Sequence, residues 1–238
     1  MEVQCFAVQL LQALRYLKSH RIVHRDLKMG NILLSDKLQI KVADLGLAAK
    51  LDSEIEKRHT LCGTPNYVAP EVIDKEKYGG HSYESDVWSF GCILFAMLFG
   101  KAPFETDAIE KTYQRIKANI WEFPKLINVS EHAKSIIGSI LVLDPRKRPS
   151  LDDLLNHDFF QYHRIPRSLP KDIFKKAPDE GFIDKYKSDL QPDYKKNRPQ
   201  KLNLNGPKHR VQTWVDYSRK YGMAYQLSNN NIGVHFND

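Results

Sequence analysis

The chain has 238 residues, and its 36 Lys and Arg against 29 Asp and Glu give a formal net charge of +7. Hydrophobic residues make up 42% of the sequence and charged residues 27%, a balance that excludes collagen, a coiled coil or wholesale disorder as global descriptions. A basic excess indicates a nucleic acid, an anionic membrane surface or an acidic substrate only if it is concentrated on one folded face.

Cys5, Cys62 and Cys92 are widely spaced, and none belongs to a Cys-x-x-Cys pair. This pattern favours neither a disulfide framework nor structural zinc, and it indicates a reducing compartment inside the cell. The longest apolar run, residues 88–99, is too short to span a bilayer, and Glu2 stands where a signal peptide would carry positive charge. We therefore expect a soluble intracellular chain with no membrane contact.

Apolar residues spaced three and four apart predict an amphipathic helix within residues 3–17. Two short β-type runs follow at 32–34 and 38–42, and the polar stretch from there to Pro70 is predicted to be a long loop. Further helices are predicted at 84–99, 107–118, 131–141 and 150–155. The first of these four is apolar nearly all round, which is typical of a helix in the centre of a domain.

Residues 161–210 differ in texture from the rest of the chain. They hold six of the twelve prolines and 13 Lys and Arg against 6 Asp and Glu, so the whole excess of +7 lies in this segment. We predict an extended linker with one short helix near 183–190. After it, three β-type runs with Asn-rich turns begin near Trp214, and three strands seldom make an independent domain.

Residues 24–31 read His-Arg-Asp-Leu-Lys-Met-Gly-Asn and meet every fixed position of the catalytic-loop pattern of protein kinases. Phosphoryl transfer needs a carboxylate that accepts the substrate hydroxyl proton, a cation near the transferred phosphate and oxygen ligands for magnesium. Asp26, Lys28 and Asn31 are the right residue types at the right spacing for these tasks. A solvated loop with a chance charge cluster is the alternative for Asp26 and Lys28 taken alone.

Thirteen residues after Asn31, the tripeptide Asp44-Leu45-Gly46 resembles the kinase Asp-Phe-Gly element with Leu in place of Phe. The resemblance implies that Asp44 is the main magnesium ligand. Because the Phe normally helps to set active and inactive states, we expect Leu45 to alter that switch without abolishing metal binding.

Three more motifs follow in kinase order: a Gly-Thr-Pro-Asn-Tyr-Val-Ala-Pro-Glu run at 63–71, Asp-Val-Trp-Ser-Phe-Gly at 86–91, and Asp-Pro-Arg-Lys-Arg-Pro at 144–149. Residues 1–160 thus resemble the C-terminal lobe of a protein serine/threonine kinase. Within that class, residues 60–67, 100–106 and 112–117 are similar to polo-like kinases, and residues 214–222 resemble the opening of their polo-box region.

The resemblance implies an α+β fold. We expect a mainly α-helical C-terminal kinase lobe at 1–160, a basic Pro-rich linker at 161–210, and an incomplete antiparallel β segment at 211–238, the start of a polo box. It implies ATP and Mg²⁺ as cofactors, with the following residue roles. Asp26 and Lys28 would be catalytic, Asn31 and Asp44 would hold magnesium, ATP would contact Lys28, Asn31, Leu33 and Asp44, and His24, Glu71, Asp86 and Arg148 would support the site.

Several of these implied roles are specific. Asp86 would brace the catalytic-loop backbone, and Arg148 would pair with Glu71, since buried charges need partners. His24 is expected to be a core histidine that shapes the loop. Leu33 would lie under the adenine ring, and an ordinary core position is an equally open interpretation.

A regulatory site is also implied in the activation segment. Thr60 aligns with the activating phosphothreonine of polo-like kinases, and Arg25 would be the partner of its phosphate. The Thr64 hydroxyl is suited to bonding Asp26 and Lys28. Trp214 aligns with a residue that stacks on a phosphopeptide held between two polo boxes, and a buried aromatic in a small sheet is the alternative.

The family's Gly-rich loop, strand lysine and αC glutamate have no counterpart in this sequence. We expect the small lobe to lie upstream of Met1 or to be missing, and the isolated chain to be inactive. A non-catalytic scaffold or binding fragment derived from such a kinase is the alternative function. A third reading, a nucleic-acid or nuclear-import element at 195–198, is disfavoured because its basic residues lie in the linker.

The expected partners are protein substrates with Ser or Thr in acidic contexts. Phosphopeptide docking is expected only if the polo boxes are complete, and neither a membrane nor a nucleic acid is an expected partner. The resemblance implies a cell-cycle, mitotic role and localisation to the nucleus, centrosome or spindle, and otherwise to the cytoplasm.

Overall fold

The computed structural model describes residues 2–35, 37–162, 165 and 169, and the backbone of three strands within 211–236. The chain divides into two compact units, Met1–Lys176 and Ala177–Asp238. The helix predicted near 183–190 and the basic run at 195–198 lie outside the described residues. In the described part, no helix is both long and apolar enough to cross a bilayer.

Helices dominate the first unit. The described α-helices are α1 Glu2–Ser19, α2 Pro70–Ile73, α3 Lys75–Tyr78, α4 Tyr83–Phe99, α5 Ile109–Ala118, α6 Glu131–Ile140, α7 Leu151–Leu155 and α8 Asp158–Gln161. Short 3₁₀ turns lie at Met29–Asn31 and Pro145–Lys147. The predicted α+β class and the four longer predicted helices after Pro70 are confirmed, whereas α2, α3 and α8 were not predicted because four residues carry too little periodicity.

The strands of the first unit are short and antiparallel. They are β1 Ile22–Val23, β2 Ile32–Leu34, β3 Ile40–Val42 and β4 Ala49–Lys50. Strand β1 pairs with β4, and β2 pairs with β3 in a hairpin. Strand β3 begins two residues later than the strand predicted at 38–42. The reason is that Leu38 has a left-handed backbone with φ 59° and belongs to the hairpin turn. The loop predicted up to Pro70 contains β4.

Helix α4 forms the centre of the core, as its uniform apolarity predicts. Thirteen of its 17 residues are buried, and it packs against α1 and α6. Gly91 makes the α4–α6 approach possible, because a Cβ atom there would lie 2.5 Å from Ile140 Cγ2. Helix α6 begins at the Ser130 cap, whose side chain accepts the Ala133 N–H.

The second unit contains a three-stranded antiparallel sheet in the order β5 Val211–Tyr217, β6 Gly222–Leu227 and β7 Ile232–Phe236. The three predicted strands are therefore confirmed. Trp214 pairs with Tyr225 in the register, and a bulge interrupts the β5–β6 pairing between Val211 and Thr213.

Candidate active site

The loop that follows β1 is held from below by one buried carboxylate. Asp86, in the first turn of α4, accepts the backbone N–H of His24 on Oδ2 at 2.7 Å and that of Arg25 on Oδ1 at 3.0 Å. Burial raises the pKa of Asp86, and the two N–H groups oppose this effect by stabilising its charged form. The contact expected between Asp86 and the loop backbone is present. Arg25 has a left-handed backbone with φ 67°, an unfavourable conformation for this residue. The hydrogen bonds from the His24 and Arg25 N–H groups to Asp86 help to hold it.

Asp26 is the charged centre of the loop, and its side chain is 8% exposed. Its Oδ1 accepts the Thr64 hydroxyl at 2.7 Å, and its Oδ2 lies 3.0 Å from Lys28 Nζ. The Asn31 amide nitrogen donates to the Asp26 carbonyl at 2.9 Å. A carboxylate oxygen can accept more than one hydrogen bond, so Asp26 keeps capacity to accept a further proton donor.

His24 is fully buried and orders the loop from within, as expected of a core histidine. Its Nδ1 accepts the Asp26 N–H at 3.3 Å, and its Nε2 lies 3.1 Å from the Ala43 carbonyl oxygen. Because Nδ1 accepts a hydrogen bond, Nε2 is the ring nitrogen that can donate to the Ala43 carbonyl. This histidine therefore connects the catalytic loop to the residue that precedes Asp44.

A second buried ion pair lies beside the loop. Arg148 NH1 and NH2 donate to the two oxygens of Glu71 at 2.6 and 2.8 Å, and both side chains are at most 1% exposed. Ser85 Oγ also donates to Glu71 at 2.8 Å, and the guanidinium lies 4.9 Å from the Trp88 ring centroid. The expected Arg148–Glu71 pair is present, and its bidentate geometry with additional donors is what makes a buried pair tolerable.

The hairpin of β2 and β3 carries the two oxygen ligands expected for a metal. Asn31 directly precedes β2, and Asp44 lies two residues after β3. The ladder continues to this end of the hairpin, since the Ala43 N–H donates to the Asn31 carbonyl at 2.9 Å. Asp44 is exposed, has φ 62°, and accepts the Gly46 N–H on Oδ1 at 3.1 Å.

Comparison with known proteins bears on this arrangement directly. Residues 1–160 match the protein kinase domain family, which is about two thirds of the chain. The chain belongs to the protein kinase family. Residues 219–238 match the POLO box duplicated region, which is consistent with the resemblance to polo-like kinases.

Three relatives illustrate the similarity. A Zea mays protein named "Probable serine/threonine-protein kinase CCRP1" is 50% identical over 188 residues, covering 79% of this chain and 30% of the relative. The Xenopus laevis serine/threonine-protein kinase PLK1 is 36% identical over 295 aligned positions, covering this chain and 48% of the relative. The Drosophila melanogaster serine/threonine-protein kinase polo is 32% identical, covering this chain and 51% of the relative. The kinase chain thus spans about half or less of each relative's length.

Protein kinases use ATP and Mg²⁺, and the residues of this kinase fit the metal. The side-chain nitrogen of Asn31 donates to Asp26, which leaves the side-chain oxygen of Asn31 for a cation. Asp44 uses Oδ1 to accept the Gly46 N–H, so its Oδ2 is the oxygen that would bind the cation. Oxygen donors of this kind are the ligands that Mg²⁺ prefers. In residues 2–35 and 37–162, no group of three or more His, Cys, Asp or Glu could hold a metal ion.

The activation segment of the kinase contacts the catalytic loop at a few points. Gly63 has φ 107°, and a Cβ atom there would lie 2.8 Å from the Arg25 carbonyl oxygen, so only glycine fits the close approach that brings Thr64 to Asp26. Thr60 is exposed. Arg25 Nε donates to the Leu47 carbonyl at 2.6 Å, so the structure shows the expected partner of a Thr60 phosphate bonded within the segment itself.

The expected ligand contacts of Leu33 and Trp214 both stay predictions. Leu33 is 53% exposed on β2, so the interpretation as an ordinary core residue is wrong, and an adenine contact stays a prediction. Trp214 lies on β5, and its phosphopeptide role also stays a prediction.

Sequence reasoning missed a buried histidine beside the loop. His81 is 2% exposed, neither ring nitrogen has a hydrogen-bond partner among the described residues, and it lines a small cavity together with Arg25, Cys62 and Asp86. Burial and the nearby Arg25 charge lower the pKa of His81 to about 4. Its backbone N–H and carbonyl exchange two hydrogen bonds of 2.9 Å with Arg58 of the activation segment. No local signal marks His81, because its neighbours are far away in sequence.

Proposed function

We propose that the protein transfers the γ-phosphate of ATP to serine and threonine hydroxyls of protein substrates. The observation that carries this proposal is the Asp26 carboxylate, which is held between the Thr64 hydroxyl at 2.7 Å and the Lys28 ammonium at 3.0 Å. A carboxylate fixed in this way can accept the proton of a substrate hydroxyl, and the neighbouring ammonium can stabilise the negative charge that develops on a transferred phosphoryl group.

The other residues of the site have supporting tasks in this proposal. Bound Mg²⁺ neutralises phosphate charge, and the oxygens of Asn31 and Asp44 would hold it. The Asn31 amide nitrogen orients Asp26 through its carbonyl, and Asp86 fixes the two residues that precede Asp26. Positioning of this kind supplies much of the catalysis in phosphoryl transfer, because the reaction needs little covalent participation from the protein.

The direct test is Asp26→Asn in the full-length protein, assayed for phosphotransfer to an acidic protein such as casein. The substitution keeps the shape of the side chain and removes its basicity, so we expect a loss of about 10²- to 10⁴-fold in kcat. Asp152→Asn is the matched control, since Asp152 is exposed and its side chain pairs with exposed Arg15.

An unchanged rate for Asp26→Asn would contradict the proposal and favour the non-catalytic scaffold. Phosphotransfer by the 238-residue chain alone would contradict a different expectation, namely that the family's small lobe is required. The two outcomes are distinguishable, because the first concerns the base and the second concerns the missing phosphate-binding loop and strand lysine.

Regulation by phosphorylation of Thr60 belongs to the same proposal. Thr60 is exposed to an activating kinase, and Arg25 lies on the adjacent catalytic loop. A phosphate adds nearly two negative charges and can order a loop through charge-assisted hydrogen bonds to Arg. Thr60→Val in the full-length protein should lower activity to that of the unphosphorylated enzyme, and unchanged activity would contradict this role.

The partners follow from the same family membership. We infer that the kinase acts on Ser and Thr in acidic sequence contexts and, with complete polo boxes, docks to phosphopeptides near Trp214. Peptide arrays with acidic, neutral and basic flanks would test the first inference. Trp214→Ala in the full-length protein should weaken binding of a fluorescent phosphopeptide and leave kcat for a short substrate unchanged.

Cell-cycle location is the last part of the proposal. A relative from Saccharomyces cerevisiae, 43% identical over 178 residues, is named "Cell cycle serine/threonine-protein kinase CDC5/MSD2". We infer a mitotic role inside the cell, at the nucleus, centrosome or spindle. Imaging of the fluorescently tagged full-length protein through mitosis would test it, and a uniform cytoplasmic signal at every stage would contradict it.

A further inference from the structure

The tip of the β2–β3 hairpin is buried by a residue from beyond the kinase lobe. Leu38, Cys5 and Leu169 form a separate hydrophobic cluster in which each is at most 8% exposed. Phe6 and Ile165 are partly buried against the same cluster. Leu169 comes eight residues after the end of α8 and belongs to the segment that leads toward the polo box. Leu169 therefore covers one end of the hairpin that carries the proposed metal ligands at its other end.

The backbone conformation of Leu38 is unfavourable, so it needs stabilising contacts from outside the turn. Its φ is 59°, in the left-handed region where a branched side chain is uncommon. The turn is closed by local bonds: the Leu38 N–H donates to the Ser35 carbonyl at 3.0 Å, and Ser35 Oγ accepts the Gln39 N–H at 3.1 Å. Burial against Cys5 and Leu169 is the compensation that the structure shows, since conformations of this kind persist where surrounding contacts over-determine them.

Helix α1 holds the same hairpin from the side. Gln9 Oε1 accepts the Ile40 N–H at 2.9 Å, and Gln9 Nε2 donates to the Cys5 carbonyl at 3.2 Å. Cys5 is thus part of both the α1 anchor and the hydrophobic cluster. The hairpin is thus held by α1 through Gln9 and by Leu169 at its tip.

The hairpin is short enough to transmit a movement of its tip. Only three register pairs, from Leu34 with Ile40 to Ile32 with Val42, separate the turn from Asn31. The next ladder bond joins the Ala43 N–H to the Asn31 carbonyl at 2.9 Å, directly before Asp44. A shift of register or twist at the tip therefore changes the separation of the Asn31 and Asp44 oxygens.

We propose that Leu169, with Ile165 beside it, is a positioning clamp that holds the hairpin so that Asn31 and Asp44 are spaced for a metal ion. The linker then has a task beyond connecting two domains, because a pull on it from the polo-box side would release Leu169 and loosen the metal ligands. The metal part rests on the proposed function, whereas the clamp itself does not. Leu169 touches neither ligand, so it acts through Leu38.

The first experiment measures hydrogen exchange, residue by residue, in the 238-residue chain. Leu169→Ala should accelerate exchange of the Leu38, Ile40 and Ala43 amides about tenfold, because local opening follows the loss of buried contacts. Leu169→Met, which conserves volume, should restore slow exchange. The matched control is Leu155→Ala, a half-buried leucine of α7 that packs against the main core.

Unchanged exchange of the hairpin amides in Leu169→Ala would overturn the clamp. Equal acceleration in the hairpin and throughout α4 would also overturn it, since it would reveal only a general loss of stability. If Leu169→Ala does not fold, Leu169→Val provides the same comparison with a smaller deletion and should give an intermediate acceleration confined to the hairpin.

The second experiment uses Mn²⁺ as the probe in the full-length protein with ATP, followed by water proton relaxation. Leu169→Ala should weaken Mn²⁺ binding about tenfold, the size typical of residues that orient metal ligands, and should leave kcat at saturating metal nearly unchanged. Equal Mn²⁺ affinity in the variant and wild type would overturn the positioning role. Asp44→Asn tests the ligand assignment separately, because full Mn²⁺ affinity in that variant would contradict the proposed function and not the clamp.

Discussion

Two regions that contact the catalytic loop differ in burial: the floor, which we define as the buried charged residues Asp86, Glu71 and Arg148, and the activation segment. In the floor, Asp86, Glu71 and Arg148 are buried charges, and each makes at least two hydrogen bonds. In the segment above, Leu45, Ile55 and Leu61 are 54%, 90% and 57% exposed. The floor is over-determined and the segment is held at a few points.

This difference indicates where the molecule can change state. A buried, fully bonded network has one low-energy arrangement, because any other leaves a charge without a partner. A segment with few buried apolar contacts opens locally at low cost. The loop geometry is thus expected to persist while the activation segment rearranges.

The largest effect should follow from breaking the floor. Arg148→Ala leaves Glu71 as a buried carboxylate without its cation, so we expect a loss of about 3–5 kcal/mol in the free energy of unfolding. Urea denaturation of the full chain measures it. The double variant Arg148→Met, Glu71→Met should recover much of the loss, and an equal loss in both variants would show that the charges are not what matters.

The next effect depends on pH and concerns the contact between floor and segment. Because the pKa of His81 is lowered to about 4 in the folded state, the unfolded chain binds its proton more readily. The contribution of His81 to the free energy of unfolding is therefore fully present above pH 6.5. It is lost as the pH falls toward 4, by about 3 kcal/mol in all.

The free energy of unfolding between pH 4 and 7 should thus rise more steeply for the wild type than for His81→Phe. Phe keeps an aromatic ring and cannot titrate, and the ring nitrogens that it removes have no partners among the described residues. Parallel curves for the two proteins would show that His81 does not sense pH.

A smaller effect is expected at the point where the segment touches the base. Thr64→Val removes the hydroxyl that donates to Asp26 at 2.7 Å, and hydrogen bonds to charged groups contribute about 1.5–3 kcal/mol. Both the free energy of unfolding and kcat of the full-length protein should fall, with little change in KM. Thr64→Ser should restore both, and failure of the serine to do so would favour a role for the methyl group.

The smallest effect should come from an exposed ion pair far from the floor. Lys111 and Asp107 are 62% and 74% exposed and lie 3.1 Å apart on α5. Solvent screens such pairs, so Lys111→Ala should not change the unfolding midpoint beyond experimental error. A change as large as that of Arg148→Ala would contradict the importance of burial.

The sequence predicts those parts of the fold whose signals are local. Periodicity identifies α1, α4 and α6, and the uniform apolarity of α4 correctly places it in the core. Two-residue strands such as β1 and β4 carry no period, so they were not predicted. The turn at Leu38 was assigned to a strand because a leucine with positive φ leaves no mark in the pattern.

The site is predicted only as far as motifs reach. Asp26 and Asn31 follow from the catalytic-loop pattern, and the roles of Asp44 and of the Glu71–Arg148 pair follow from the family resemblance. His81 and Ser85 could not be found, because their importance arises from partners brought together by folding. Burial of a polar group is a tertiary property, and a single sequence does not encode it locally.

The missing side chain of Gly91 has a consequence for the packing of α6. Helix α6 rests against this glycine, and its C-terminal end leads through Leu141 into the turn that carries Arg148. A Cβ atom at Gly91 would lie 2.5 Å from Ile140 Cγ2 and 3.1 Å from Leu141 Cδ2, so these side chains or the helix that carries Ile140 would have to shift. Space for a side chain is therefore lacking at Gly91, although this glycine lies away from the proposed catalytic residues.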